Sequence, residues 1–486
     1  MLPPYPPPDF YQVQLTVLAV FCAVAIVVER YVGWQKKKAS GEANAPKVEE
    51  RALLDGSASS LVGTGKDVFA ALRSNYLLVY GIVMGADWLQ GPYVYSLYRE
   101  QYGYSERVVG FLFVTGFTAA GFSGPFVGVW ADKFGRKRIC LWFCVAYAFA
   151  CLCTLSSWIP ILFAGRLVSG FATAILFSCF ETWVVSASQS AGVSQAGLST
   201  ILGDAMLING IAASVAGVVS NQLVAQVKTF TSPFMLSGVL LVASWFMIRK
   251  LWTENYGAQD ASVGVGKWDI LQLGRLRQAI DIVRRDPALL VLGLRQTCFE
   301  GSMYIFVFLW VPSMQEASPP NAQLPLGYIF SAFMVSMMLG SVVYTSVVSH
   351  SLPRSDAPLV LHAKLASLNC LVASLALAIS FSTSLPQTRF WSFCLFEACV
   401  GVYYPVQGML KGSMISNDHR ATLAALFRVP LNIFVTGIML TGISENRQVV
   451  FSACSLVLAF SSLMTTFVIV PRTVTMSENP PLPRPA

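Results

Sequence analysis

Nine charged side chains lie inside long apolar stretches of this chain: the acids Asp87, Glu181, Asp204, Glu300 and Glu397, and the bases Arg166, Arg295, Lys364 and Arg428. A charge at the middle of a membrane span costs about 2.5–3.5 kcal/mol on insertion scales, so each of these needs a reason to be there. A carboxylate in a cavity inside a membrane can take up and release a proton as the cavity opens to either side, which is the chemistry of ion coupling. The same acids can instead pair with Arg166, Arg295 and Arg428 as structural or gating salt bridges. On the residues alone both readings stand.

A second constellation is the string GVWADKFGRKR, from Gly128 to Arg138, wedged between two apolar stretches. It combines a small residue that lets helices approach, Gly128, with an acid, Asp132, and a helix-breaking glycine, Gly135. Four basic side chains complete it, among them Arg136 and Lys137. Such a run marks a cytoplasmic hinge between two membrane spans. Enzymatic chemistry has no comparable signature, since no GxSxG, HExxH or His–acid pairing occurs. Only three histidines are present, His350, His362 and His419, and the eleven cysteines fall in or beside apolar segments with neither a disulfide nor a zinc spacing. No metal and no cofactor is expected.

These residues need a scaffold, and composition says which. With 55% hydrophobic and 12% charged residues, the chain is far from the roughly 25% charged of a soluble domain. A span takes about 20 apolar residues, and thirteen segments qualify, near 10–33, 74–98, 107–131, 139–158, 160–187, 196–226, 230–251, 288–313, 325–349, 358–383, 389–413, 422–444 and 449–471. The expected fold is therefore an all-α membrane protein with one extra N-terminal transmembrane helix (1–33), a cytoplasmic linker (34–73), a six-helix bundle (74–251), a second cytoplasmic linker (252–287), a second six-helix bundle (288–471) and a disordered tail (472–486). In the second linker Trp268, Leu271, Leu276, Ala279, Ile280 and Val283 recur at helical spacing, the pattern of an amphipathic helix on the membrane surface.

The basic residues orient the chain. With the GVWADKFGRKR loop inside, 24 Lys and Arg fall on the cytoplasmic side and five, Arg99, Arg107, Lys228, Arg389 and Arg447, on the other. This bias places the N-terminus outside and the C-terminus in the cytoplasm. It also explains the formal charge of +8 without nucleic acid.

Two six-helix halves, a central linker and the GxxxDxxGRKR pattern resemble the major facilitator superfamily over about residues 74–471, and GRLVSGFATA, with Arg166, Gly170 and Ala174, matches that family's fourth-helix pattern. The equivalent loop in the second half, SVVSHSLPRS, lacks the acid and the glycine. A closer similarity is carried by ADWLQGPYVYSLY, FSCFETWVV, FEGSMYIFVFLWVP, LGYIFSAFMVSMMLGS, FEACVGVYYP and FRVP, which resemble the molybdate-anion transporter branch. The resemblance implies a plasma-membrane secondary transporter that takes up molybdate, a tetrahedral dianion, at high affinity by alternating access.

In that family core helices one, four, seven and ten line the cavity, and they hold Asp87, Glu181, Glu300 and Glu397. The resemblance makes these four the candidates for facing water or substrate. A guanidinium suits a tetrahedral oxyanion because its planar fork delivers two hydrogen bonds at once. Arg428 in FRVP is the first candidate, about 9 Å into core helix eleven, followed by Arg295; Arg166 is a candidate for coupling. Neutral donors are sought among Tyr93, Tyr95, Asn209, Tyr304, Tyr403 and Asn432. Gly128, Asp132, Gly135, Arg136 and Lys137 are implied to form a cytoplasmic latch. Because a dianion enters against the membrane potential, symport with protons is expected. The lipid bilayer is the expected surrounding and a monomer suffices. The alternatives are transport of sulfate, an organic metabolite or a drug exchanged for protons, and a receptor or scaffold that transports nothing.

Overall fold

The computed structural model describes residues 7, 9–39, 59–256, 280–319, 322–351, 358–415, 420–440 and 446–478. Among them, thirteen helices of 18 residues or more occupy the thirteen expected segments: α1 (Phe10–Ala39), α2 (Ser59–Gln90), α3 (Glu106–Phe134), α4 (Arg136–Cys153), α5 (Ile159–Ser190), α6 (Gln195–Val227), α7 (Ser232–Leu251), α8 (Pro287–Ala317), α9 (Leu326–Ser351), α10 (Pro358–Ser382), α11 (Pro386–Met414), α12 (Arg420–Leu440) and α13 (Arg447–Met464). Core helix n is thus α(n+1). Ten candidate spans are long and apolar enough to cross a membrane, and α12 adds a shorter apolar stretch, Leu426–Met439.

Several boundaries differ from those expected. Helix α2 begins at Ser59, fifteen residues before the apolar segment, because a helix nucleated in the apolar run propagates back through residues that apolarity alone does not detect. The far end of the same element is broken: Gly91–Tyr93 form a 3₁₀ turn and Leu97–Gln101 a π turn, since Pro92 has no N–H for the helical ladder. The tail expected from 472 is helical through Glu478 (α14, Val470–Glu478); its remainder lies outside the described residues. So do 40–58 of the first linker, 352–355 of SVVSHSLPRS, and Trp268, Leu271, Leu276 and Ala279 of the amphipathic segment, whose last part, 280–285, is helical.

The chain divides into two compact units, Val20–Leu97 with Thr115–Ser262, and Met1–Ala19 with Tyr98–Val114 and Val263–Ala486. In the first, α2 packs on α5, α6 and α7, and α4 on α5 and α7. In the second, α8 packs on α11, α12 and α13, and α10 on α11 and α13. Adding six to each helix number turns one set into the other, which is the internal repeat of a two-bundle transporter. Close approach repeats as well: a Cβ on Gly170 of α5 would meet the Gly116 carbonyl oxygen of α3, and one on Gly401 of α11 the Met337 carbonyl oxygen of α9. Gly128 behaves differently from expectation, because nothing among the described residues comes within 4 Å of a Cβ placed there.

Polar seams hold the second unit. Ser374 Oγ donates to Ser455 O at 2.7 Å and Ser455 Oγ returns a bond to Ser374 O at 2.9 Å, while Ser367 and Ser462 repeat the exchange at 3.0 and 2.8 Å. These reciprocal rungs join α10 to α13, as hydroxyls do where no water competes. At the helix ends away from the motif loop, Arg447 pairs with Glu106 at 3.1 Å and Glu316 at 3.4 Å. The first residues of α1 belong to the same unit, the rings of Phe10 and Tyr11 meeting Phe390 at 5.9 and 5.3 Å.

Candidate functional site

The second unit concentrates its buried charge where α8 faces α11. On α8, Gln296 and Glu300 stand four residues apart; on α11, Tyr403, Gln407 and Lys411 repeat the same interval, so each set shares one helix face. Gln296 Nε2 donates to Glu300 Oε2 at 3.1 Å, and Tyr403 Oη donates to Glu300 Oε1 at 3.0 Å. The Tyr403 ring is fixed flat on Phe299, 4.1 Å between centroids, and the Arg295 guanidinium lies 5.1 Å from the ring centre.

Arg295 is 1% exposed. One nitrogen, Nη1, donates to Gln407 Oε1; among the described residues Nε and Nη2 have no hydrogen-bond partner, nor does Gln407 Nε2. Buried donors in folded proteins are almost always satisfied, and leaving one bare costs about 1–3 kcal/mol, more for a charged group. Lys411 and Arg428 lie close enough to join the same electrostatic group, the charges of Glu300, Arg428 and Arg295 all acting on Lys411. Arg295, Lys411 and Arg428 thus bring three formal positive charges into the neighbourhood of one carboxylate, Glu300, an excess of two.

The remaining candidates of this unit fall around that core. Tyr304 stands within reach of both the Glu300 and the Arg428 charges. Arg428 and Asn432, one turn apart on α12, are both exposed. Glu397 is 5% exposed and sits about one and a half turns before Tyr403, where its charge acts on Cys394 and Tyr404.

In the first unit most candidates are engaged by residues outside the expected set. Tyr147 Oη donates to Asp87 Oδ1 at 2.6 Å, and the charges of Asp87 and Arg166 both act on Tyr147 and Cys151. Trp88 Nε1 donates to Asn209 Oδ1 at 2.8 Å, and Tyr93 Oη to Asn221 Oδ1 at 3.1 Å. Tyr95 is buried. Asp204 accepts from Arg73 at 2.8 Å. Glu181 is exposed, and its charge and that of Asp87 both reach Tyr80.

A family of sugar transporters with twelve transmembrane segments matches residues 52–389. A molybdate-anion transporter of Xenopus laevis is 30% identical over 421 residues, 84% of this chain and 88% of that protein. Another from Danio rerio is 31% identical over 390 residues, 75% of this chain and 78% of its own length. The crystal structure of a nucleoside transporter superposes with a TM-score of 0.65 at 13% identity, covering 81% of this chain and 99% of that one. The chain belongs to the molybdate-anion transporter branch of the major facilitator superfamily. It is therefore a multi-pass membrane protein with the fold of that superfamily.

The superfamily loop is built as a knot around one acid outside the motif. Gly135, at φ 99°, lets the backbone turn from α3 into α4. Asp132 pairs with Arg136 at 2.9 Å. Glu254, just past α7, accepts from the backbone N–H groups of Lys137 at 2.9 Å and Arg138 at 3.2 Å, placing a carboxylate on the positive end of α4. Lys137 Nζ donates to the carbonyls of Arg249 and Trp252 at 3.0 and 2.6 Å, and Trp252 stacks on Trp183 at 3.8 Å. Glu254, Gln407, Lys411 and Tyr147 were not among the expected residues. The four-residue spacing of Tyr403, Gln407 and Lys411 carried the signal for two of them; for Glu254 only its place beside Arg249 and Lys250 did.

Proposed function

We propose that this chain is a secondary transporter that takes up molybdate by alternating access, and that Arg295, Arg428 and Lys411 hold the anion with Tyr304 as a neutral donor. The observation that carries this reading is the buried Arg295 guanidinium with two bare nitrogens. A fixed fork of N–H donors in a place shielded from water is what a tetrahedral oxyanion needs. Relatives named for molybdate support that substrate, and the local excess of two positive charges equals the charge of one molybdate ion. Sugars, named in the description of the matching family, are neutral and would leave those cations without counter-charge.

Glu300 is the proton carrier closest to the anion site, tied to it through Tyr403, and Asp87 with Tyr147 is its counterpart in the first unit. Glu181 and Glu397 are assigned to the cavity wall. Arg166 couples Asp87 to the helix packing around Gly170. The basic residues of the GVWADKFGRKR loop face the cytoplasm, and Asp132, Gly135, Arg136 and Lys137, joined by Glu254, work as the cytoplasmic latch; Gly128 keeps its place in the motif without a packing role. The protein acts as a monomer in the plasma membrane, with its N-terminus outside.

The test is uptake of tracer molybdate into cells expressing the chain, with Arg428→Ala alongside. Saturable uptake that Arg428→Ala lowers by roughly tenfold or more supports the reading. No uptake above control cells, with the protein folded and at the surface, sends the substrate question to organic solutes or to a receptor role.

A further inference from the structure

Gln407 has a carboxamide with one acceptor and two donor hydrogens, and the structure fixes which end meets Arg295. A guanidinium only donates, so the oxygen Oε1 is the atom bonded to Arg295 Nη1. The amide nitrogen is then turned away, buried and without a partner. It belongs to the same small planar group as Oε1, and so it lies beside the guanidinium whose Nε and Nη2 are also bare.

Two of the nearby acceptors are the Glu300 oxygens, and a third, Gln296 Oε1, is itself buried and bare. Glu300 holds Tyr403 on one oxygen and Gln296 on the other. Gln296 follows Arg295 directly in α8, and adjacent residues on a helix do not face each other; its side chain reaches along its own helix to Glu300. Tyr403 donates its hydroxyl hydrogen to Glu300 and meets the Arg295 guanidinium with its ring, 5.1 Å from the ring centre. The Gln407 side chain therefore sets another N–H group beside the bare N–H groups of Arg295 and offers no free acceptor there.

We infer that Gln407, by turning its only acceptor onto Arg295, makes this site accept oxyanions that carry no proton and reject those that do. The inference rests on the proposed anion site and adds the chemical class it selects. An unprotonated tetrahedral dianion presents only acceptors and satisfies each bare N–H. A dianion of the same size that retains an O–H points a donor at a donor, and two buried groups stay unpaired. The discrimination is by hydrogen count, with charge and volume held equal.

Selenate and hydrogen arsenate are such a pair at about pH 8, tetrahedral dianions of similar size that differ by one proton. Each is titrated against tracer molybdate uptake into proteoliposomes holding the full chain. Selenate is expected to suppress uptake at concentrations roughly tenfold or more below those needed for arsenate. Arsenate equal to selenate, or selenate without effect, overturns the inference while leaving molybdate transport standing; absence of any molybdate uptake overturns both. Gln407→Glu supplies an acceptor at the same place, and the selenate advantage is expected to narrow. If Gln407 only braces the helices, the variant lowers uptake with the selenate-to-arsenate ratio unchanged. The wild-type comparison decides the matter even if the variant fails to fold.

Discussion

Arg295 has one guanidinium nitrogen bonded, to Gln407, and two bare, in a position 1% exposed. Removing it removes the fork: Arg295→Ala is expected to cut molybdate uptake by roughly one to two orders of magnitude, as the loss of a charged hydrogen bond of about 1.5–3 kcal/mol implies. Arg295→Lys is not expected to restore it, because an ammonium is a point charge without the planar geometry; full activity in the lysine variant would show that charge alone suffices. The sequence exposed the charged residues themselves, since an intramembrane Arg or Glu is visible wherever it stands. It did not show that Tyr93 and Asn209 are engaged by Asn221 and Trp88, nor that a glutamine completes the arginine. A neutral amide inside an apolar helix carries too weak a cost to stand out.

Helix ends carry the next level of information. Glu254 accepts two backbone N–H groups at the start of α4, so Glu254→Ala is expected to lower stability by about 1 kcal/mol, the usual effect of losing such a cap. Thermal unfolding in detergent checks it, and an unchanged midpoint would show the loop to be held by Lys137 and the Trp183 to Trp252 stack instead. Gly135→Ala is more severe, because φ 99° strains any other residue and a Cβ would come within 2.6 Å of Glu254 Oε1. The expected loss is about 1–3 kcal/mol. Ser374→Ala with Ser455→Ala opens one rung between α10 and α13 at about 0.6 kcal/mol per bond, and a larger drop would mean the rungs set the packing. Ten of the expected segments were legible as runs long and apolar enough to span a membrane, and α4, α8 and α12 are helical at the expected places without meeting that measure. The boundaries of α2 and α14 were not legible, because helix continues through polar residues once started. The knot at Glu254 was hidden because its partners lie more than a hundred residues apart in sequence.

At the scale of the molecule, two units repeat one packing scheme six helices apart, and the charge clusters share an acid held by a tyrosine, Asp87 with Tyr147 and Glu300 with Tyr403, but differ in their basic residues. Asp87, Tyr147 and Arg166 occupy the first unit; Arg295, Glu300, Gln407 and Lys411, with Arg428, occupy the second. A dianion moving inward against 100 mV costs about 4.6 kcal/mol at about 2.3 kcal/mol per charge, so uptake needs a compensating flow of positive charge. Outside acid is expected to raise uptake and a protonophore to abolish it; indifference to both would remove proton coupling and leave another cation or exchange. The one measurement that bears most directly on the whole is tracer molybdate uptake into proteoliposomes containing the purified chain, wild type beside Arg295→Ala, under an inward proton gradient. The expected result is saturable accumulation by the wild type and uptake near that of empty vesicles by the variant. Equal uptake by both, or none by a folded wild-type protein, would contradict an anion site at Arg295.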